Sequence, residues 1–170
     1  MEVDDFVENF SYLYICQVLD KKDGWVEKRV QGEWKGPSAE GLTCRANPKA
    51  HLEKNPQFEI TVSKPCDGFI MMRQNEKVNM FKGKQNIMFM VSKMDGERIC
   101  NVDKSKMLCM SGQPINLNII TSECDFDRTV SYPYKFSMLI ANSNNGAAGE
   151  GTFEIGIYAM DQGLSVKALP

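Results

Sequence analysis

The sequence predicts an all-β protein, a single antiparallel β-sandwich of about eight strands of the C2-like type with one short N-terminal helix. Two features predict it. Apolar residues alternate with polar ones over most of the chain, the period of a strand with one buried face. The alternating segments are separated by short runs of Gly, Asn, Asp and Ser, and helical spacing occurs clearly only near the start.

The elements follow in chain order. Val3, Phe6, Val7 and Phe10 have helical spacing, and Asp4, Asp5 and Glu8 suit the positive end of a helix, so a short helix opens the chain. The stretch from Gly32 to Phe58, GEWKGPSAEGLTCRANPKAHLEKNPQF, then gathers a tryptophan, glycines, prolines and two Asn-Pro steps. Fixing so irregular a segment costs backbone entropy, so it should be packed down by its own side chains. Trp34 supplies apolar area, and the Asn47 or Asn55 side chain can satisfy backbone groups that an irregular segment leaves unpaired.

Strands come next. Phe58, Ile60 and Val62 alternate with Gln57, Glu59 and Thr61, and Ile115, Leu117 and Ile119 alternate with Asn116 and Asn118. Tyr134, Phe136 and Met138 alternate with Lys135 and Ser137, and Phe153, Ile155 and Ile157 with Glu154 and Gly156. Each predicts a strand with one wet and one buried face. Denser apolar runs at Phe69 to Met72 and Ile87 to Val91 predict strands in the middle of a sheet. Asp95-Gly96, Ser111-Gly112 and the NSNNGAAGEG tract from Asn142 to Gly151 mark turns and an exposed loop.

Composition narrows the function. Twenty basic and 22 acidic side chains leave a formal charge of −2, too little for a field that gathers nucleic acid. No apolar run approaches the roughly 18 residues of a membrane span, the opening residues are acidic, and Glu2 stands where myristoylation needs glycine. A cytoplasmic protein, or one peripheral to membrane or cytoskeleton, is expected. The six cysteines (Cys16, Cys44, Cys66, Cys100, Cys109, Cys124) could form three disulfides, but their scatter in a chain with no signal peptide predicts free, mostly buried thiols. With no C-x-x-C spacing and a single histidine, structural zinc is not expected. Met71, Met72, Met88 and Met90 lie in strand-like runs and are expected to fill the core.

The order Gly32, Trp34, Gly36, Ser38, Ala39, Gly41, Cys44, Asn47, then Asn55, Pro56, Gln57 and Phe58 resembles the start of the β-sandwich domain that follows the protease core in calpains. The family run is roughly G-x-W, G-x-[ST]-A-G-G-C-x-N and N-P-Q-[FY]; here Glu40 replaces a glycine, Leu42 and Thr43 are inserted, and two residues separate Cys44 from Asn47. Fainter similarities lie in DFVENFSYLYIC, in Ile87 to Val91, and in GEGTFEIGIYAMD, where Gly156 occupies the place of an arginine. The resemblance implies that residues 1–20 correspond to the end of a protease core and 21–170 to the calpain-type sandwich, making the chain a fragment of a longer protein. It also implies structural roles for Trp34, Gly36, Ser38, Gly41, Cys44, Asn47, Asn55, Pro56, Gln57 and Phe58.

Catalytic chemistry is not expected. A calpain triad needs Cys, His and Asn in one cleft, and the only imidazole, His51, lies among charged residues that suggest a surface position. Cys16 and Cys44 have no nucleophile context and read as buried structural thiols.

For calcium, the segment Ser63 to Gly68 carries one acid where calpains have an acidic run. The other clusters are Asp20 with Asp23, Asp95 with Glu97, and the densest, SECDFD, whose Glu123, Asp125 and Asp127 would face one way if extended; a solvated polar loop is the competing reading. For anionic phospholipid, Arg73, Lys77, Lys82 and Lys84 around Phe81 make the densest basic stretch, against a plain solvated hairpin. The expected function is a non-catalytic regulatory or interaction module of a calpain-like protein, docking to a protease core or another protein domain, with no cofactor. The alternatives are a peripheral membrane adaptor, with or without calcium, and a structural partner domain with no ligand of its own.

Overall fold

A computed structural model describes residues 18–39, 41, 51–74, 86–112, 119–126, 129–143 and 150–170. The expected opening helix lies outside them, as do Cys16, Cys44, Asn47, Lys77, Lys82, Lys84 and Asp127.

The described residues form nine strands and short 3-10 turns. The strands are β1 (Val26–Trp34), β2 (Gln57–Val62), β3 (Cys66–Gln74), β4 (Asn86–Ser92), β5 (Met107–Met110), β6 (Ile119–Phe126), β7 (Tyr134–Ser143), β8 (Gly151–Ala159) and β9 (Ser165–Ala168). Two sheets result, a four-stranded one in the order β1-β8-β3-β6 and a five-stranded one in the order β5-β4-β7-β2-β9. Every pairing is antiparallel. The antiparallel all-β architecture expected from the alternation is present, with one strand more than foreseen.

Between the sheets lies the core. Ile70 and Met72 from β3, Phe153, Ile155 and Ile157 from β8, Phe58, Ile60 and Val62 from β2, and Phe136, Met138 and Ile140 from β7 meet there, all almost fully buried. Trp34 closes one end, with its ring 4.6 Å from that of Phe153, and Phe126 packs on Phe136 at 5.2 Å. Gly32 makes the first contact work: it stands directly across from Phe153, whose ring lies where a Cβ on residue 32 would be, 2.4 Å from the nearest ring carbon. An aromatic side chain thus covers the gap a strand glycine leaves.

The expectation of one wet face per strand fails for the five-stranded sheet. Its outer side carries a second apolar layer of Leu52, Met88, Met90, Ile99, Leu139 and Ala141, flanked by Met94, Met107 and Met110. Gln57 and Glu59 are buried there as well. The cause is the connection from β4 to β5, which crosses this face. Gln57 fastens it as a strand partner would, donating from Nε2 to the Ile99 carbonyl (2.9 Å) and accepting the Ile99 N–H at Oε1 (2.7 Å). Ser137 Oγ donates to the Glu97 carbonyl, and the Arg98 guanidinium donates to the carbonyls of Glu53 (2.9 Å), Asn55 (3.0 Å) and Leu169 (3.1 Å). A planar five-donor fork suits such a cluster of carbonyls. The methionines expected in the core are divided: Met72, Met88 and Met90 are buried, and Met71 is half-buried on the outer side of β3.

Among the described residues no second apolar layer covers the outer face of the four-stranded sheet. Lys28 sits on edge strand β1 opposite Ile157, on the core-facing side of the pleat, with its side chain exposed. No helix among the described residues is long and apolar enough to cross a membrane.

Candidate functional site

The signature residues that can be placed are architectural. The Trp34 indole donates to the Ile140 carbonyl at 3.5 Å, Ser38 Oγ accepts the Lys35 N–H at 2.9 Å, and Gly36 and Gly41 adopt left-handed φ values of 51° and 78°. Asn55, fully buried, accepts the Gly41 N–H (3.2 Å) and donates to the carbonyls of Gly41 (2.8 Å) and Leu52 (3.3 Å). The amide foreseen as a satisfier of irregular backbone does that work. Pro56 accepts from Ile140 N–H at 3.0 Å, and Phe58 packs in the core.

His51 is exposed, with Nδ1 2.9 Å from Glu53 Oε1. The four described cysteines are free; Cys124 is buried, Cys66 and Cys109 are half-buried and Cys100 is exposed. Burial, aided by the charge of Asp161, pushes the Cys66 thiol up to about 11. A hydrogen bond with the Cys109 thiol, together with burial, holds Cys124 well above its ordinary value. Nucleophilic cysteines need the opposite shift, because the thiolate is the reactive form.

The outer sheet face carries a different kind of site, built on β1, β3, β6 and β8 and on the turn that precedes β1. That turn is rigid. Asp20 caps the 3-10 turn Lys21–Asp23 by accepting the Lys22 N–H at 3.1 Å, and Gly24 closes it at φ 87°, so that Trp25 enters β1 with its N–H on the Asp20 carbonyl. Alongside, β3 and β6 pair so that Asp67 stands directly across from Asp125, and Phe69 across from Glu123. Trp25, Asp67, Phe69, Glu123 and Asp125 line a cavity of about 240 Å3. An adjoining cavity of about 330 Å3 is lined by Trp25 with Asp20, Glu27 and Tyr158. Trp25 is common to both.

Electrostatics divide this face. Towards the Trp34 end of β1, Glu154 is matched by Arg29 (3.4 Å), Arg73 (3.1 Å) and Gln31 (3.3 Å). Glu27 is held by Tyr158 Oη at 2.8 Å and by Arg29; burial raises its carboxyl, but these hydrogen bonds and the Arg29 charge outweigh it and leave the carboxyl below its ordinary value. At the Trp25 end no described cation pairs with Asp67, Glu123 or Asp125. Like charges placed directly across an antiparallel pair destabilise it. Trp25 is 9% exposed, and its indole N–H, which donates to no described residue, stays open to solvent.

Of the metal candidates, then, Glu123 and Asp125 do face one way, on a strand instead of the polar loop that was the competing expectation; Asp127 lies outside the described residues. Among the described residues no three carboxylate, thiol or imidazole groups are gathered so as to hold a metal ion. Asp20 serves as a turn cap. Of the basic stretch, Arg73 is described, and it is engaged with Glu154. Sequence reasoning missed Trp25 and Asp67. The signal for them is the cross-strand register, which brings residue 67 to residue 125 and is not written in either segment alone. Neither the protein-family models nor the curated proteins give a match to this chain.

Proposed function

We propose that the chain is a non-catalytic interaction module that docks a protein partner through the groove at the Trp25 end of the four-stranded sheet. One observation carries the reading: Glu27 and Glu154 on this face are answered by Arg29 and Arg73, whereas Asp67, Glu123 and Asp125 line its concave stretch with no described ion pair. The raised thiols of Cys66 and Cys124 and a solvent-facing imidazole support a role without covalent chemistry. The resemblance of Trp34 to Phe58 to the calpain-type sandwich supports placing the module in a calpain-like protein, where a protease core or another domain of the same assembly is the natural partner.

The test is an unbiased selection of displayed peptides on the purified chain. Binders are expected to compete with one another and to be lost on Trp25→Ala, while a fully folded Cys100→Ala variant retains them. Binders indifferent to every groove substitution, or peptide hydrolysis abolished by Cys100→Ala, would overturn the proposal.

A further inference from the structure

We propose that Cys109 and Cys124 are a redox pair, which a low-molecular-weight disulfide converts reversibly into a bridge fastening the two sheets together where β5 meets β6. The placement comes from the topology. β5 and β6 each end the strand order of their own sheet, and they are successive strands of the chain. Ser122 Oγ donates to the Met110 carbonyl at 3.2 Å, which fixes where the two edges meet. One residue back from Met110 is Cys109, and two on from Ser122 is Cys124. Cys109 stands across from Val91 and Cys124 across from Gly68, and both pack in the core between the sheets. The two thiols are hydrogen-bonded to each other. Cys66 is the rival partner, on the core side of β3, but it stands across from Phe126 and so is only a diagonal neighbour of Cys124. Across such a diagonal the Cα atoms lie about 7–8 Å apart, beyond the reach of a disulfide.

The chemistry is thiol-disulfide exchange in two steps. Cys109 is half-buried and Cys124 buried, so Cys109 meets the oxidant first. Its thiolate attacks one sulfur of the small disulfide RSSR; the old S–S bond breaks, and the leaving thiolate takes up the proton that Cys109 released. Cys124 then releases its proton and attacks the Cys109 sulfur of the mixed disulfide, expelling the second RSH. Two protein thiols have lost two electrons and two protons, and one RSSR has become two RSH. The hydrogen bond with Cys109, together with burial, holds the Cys124 thiol well above its ordinary value, so the closing step is slow and needs sustained oxidation. A thiol unfit for nucleophilic catalysis suits a slow lock of this kind. Once formed, the bridge ties β6, whose Glu123 and Asp125 line the outer groove, to the five-stranded sheet.

The experiment equilibrates the purified chain in buffers of stepped glutathione disulfide to glutathione ratio, quenches with acid and alkylates with N-ethylmaleimide in denaturant. Trypsin cuts after Lys106 and Arg128, so a single peptide carries Cys109 and Cys124 and no other cysteine. Mass spectrometry reads it as doubly alkylated, glutathionylated or internally bridged. The bridged form is expected to grow saturably with the ratio, to revert with dithiothreitol and to leave the chain monomeric on a non-reducing gel. Its thermal midpoint should lie about 5–10 °C above that of the reduced chain, as a short closed loop predicts. Cys124→Ala should arrest the reaction at glutathionylated Cys109, and Cys109→Ala should leave Cys124 free of glutathione. Cys66→Ala and Cys100→Ala should keep both the bridge and its gain in midpoint. A peptide still doubly alkylated at the most oxidising ratio, glutathione retained on Cys109 of the unsubstituted chain, a bridge to Cys66 instead, or a bridge without a rise in midpoint would each refute the pairing.

Discussion

Single residues decide two local outcomes. Gly32 is tolerable in β1 because the Phe153 ring occupies its side-chain space, so Gly32→Ala must displace that ring and with it the contact to Trp34. Overpacking of this kind costs about 1–3 kcal/mol, read as a lower urea midpoint at unchanged slope. Asp161 is the second case. Its carboxylate accepts the Ser63 N–H and Oγ–H, both at 2.5 Å, and the Gly163 N–H at 3.0 Å, clamping the β8-β9 turn to the end of β2. Burial raises its carboxyl, but these hydrogen bonds outweigh burial and hold it below the ordinary value. A lowered folded value stabilises the protein fully above the unfolded value of about 3.9 and loses that contribution as pH falls towards the folded one. Asp161→Asn should therefore lower thermal stability at pH 7 and flatten its decline below about pH 4, as calorimetry across that range would show. A steep acid decline unchanged by the substitution would contradict this account.

At the level of elements, the β4-β5 connection depends on Gln57 more than on its own sequence. It lies across the second apolar layer with Ile99 as its anchor, and the Gln57 amide is bonded to both backbone groups of Ile99. Gln57→Ala leaves those buried groups unpaired, at a cost of about 1–3 kcal/mol. Hydrogen exchange should show the Ile99 amide losing protection while amides in β3 and β8 keep theirs. These elements also show what the sequence disclosed. The strands β2, β7 and β8 were legible because their core sides repeat large apolar residues without interruption. β1 was hidden, since VEKRVQGEW carries charges on both faces and a glycine within, as an edge strand can. β6 was taken partly for a loop because SECDF has acids on its open side. The outer apolar layer was illegible for a different reason: Gln57 and Glu59 are polar, and their burial comes from a distant segment laid over them. The groove was half legible, as Glu123 and Asp125 could be seen to share a side, whereas Trp25 and Asp67 join them through tertiary pairing alone.

The whole molecule is knit by distant pairings. β1 pairs with β8 and β2 with β9, so neither sheet is complete until the end of the chain has arrived. Loop closure must precede most of the stabilising contacts, which places refolding on a millisecond-to-second scale. Stopped-flow fluorescence is expected to show it, Trp34 reporting the core between the sheets. Sub-millisecond recovery of the buried Trp34 signal would mean that the core forms before the sheets close. Glu59 illustrates the same economy of design at molecular scale. Nearly buried, it is answered by Lys167 (3.1 Å) from β9 and Lys135 (3.8 Å) from β7, so three strands share one ionic knot on the outer side.

Lys28 carries a lesson about company. An extended edge such as β1 invites a second molecule to lay its own edge alongside and begin a fibre, but a lysine on the core side of that ribbon would have to be dragged, charged, into the seam between two joined sandwiches. The charge therefore guards that rim against joining a second copy edge to edge.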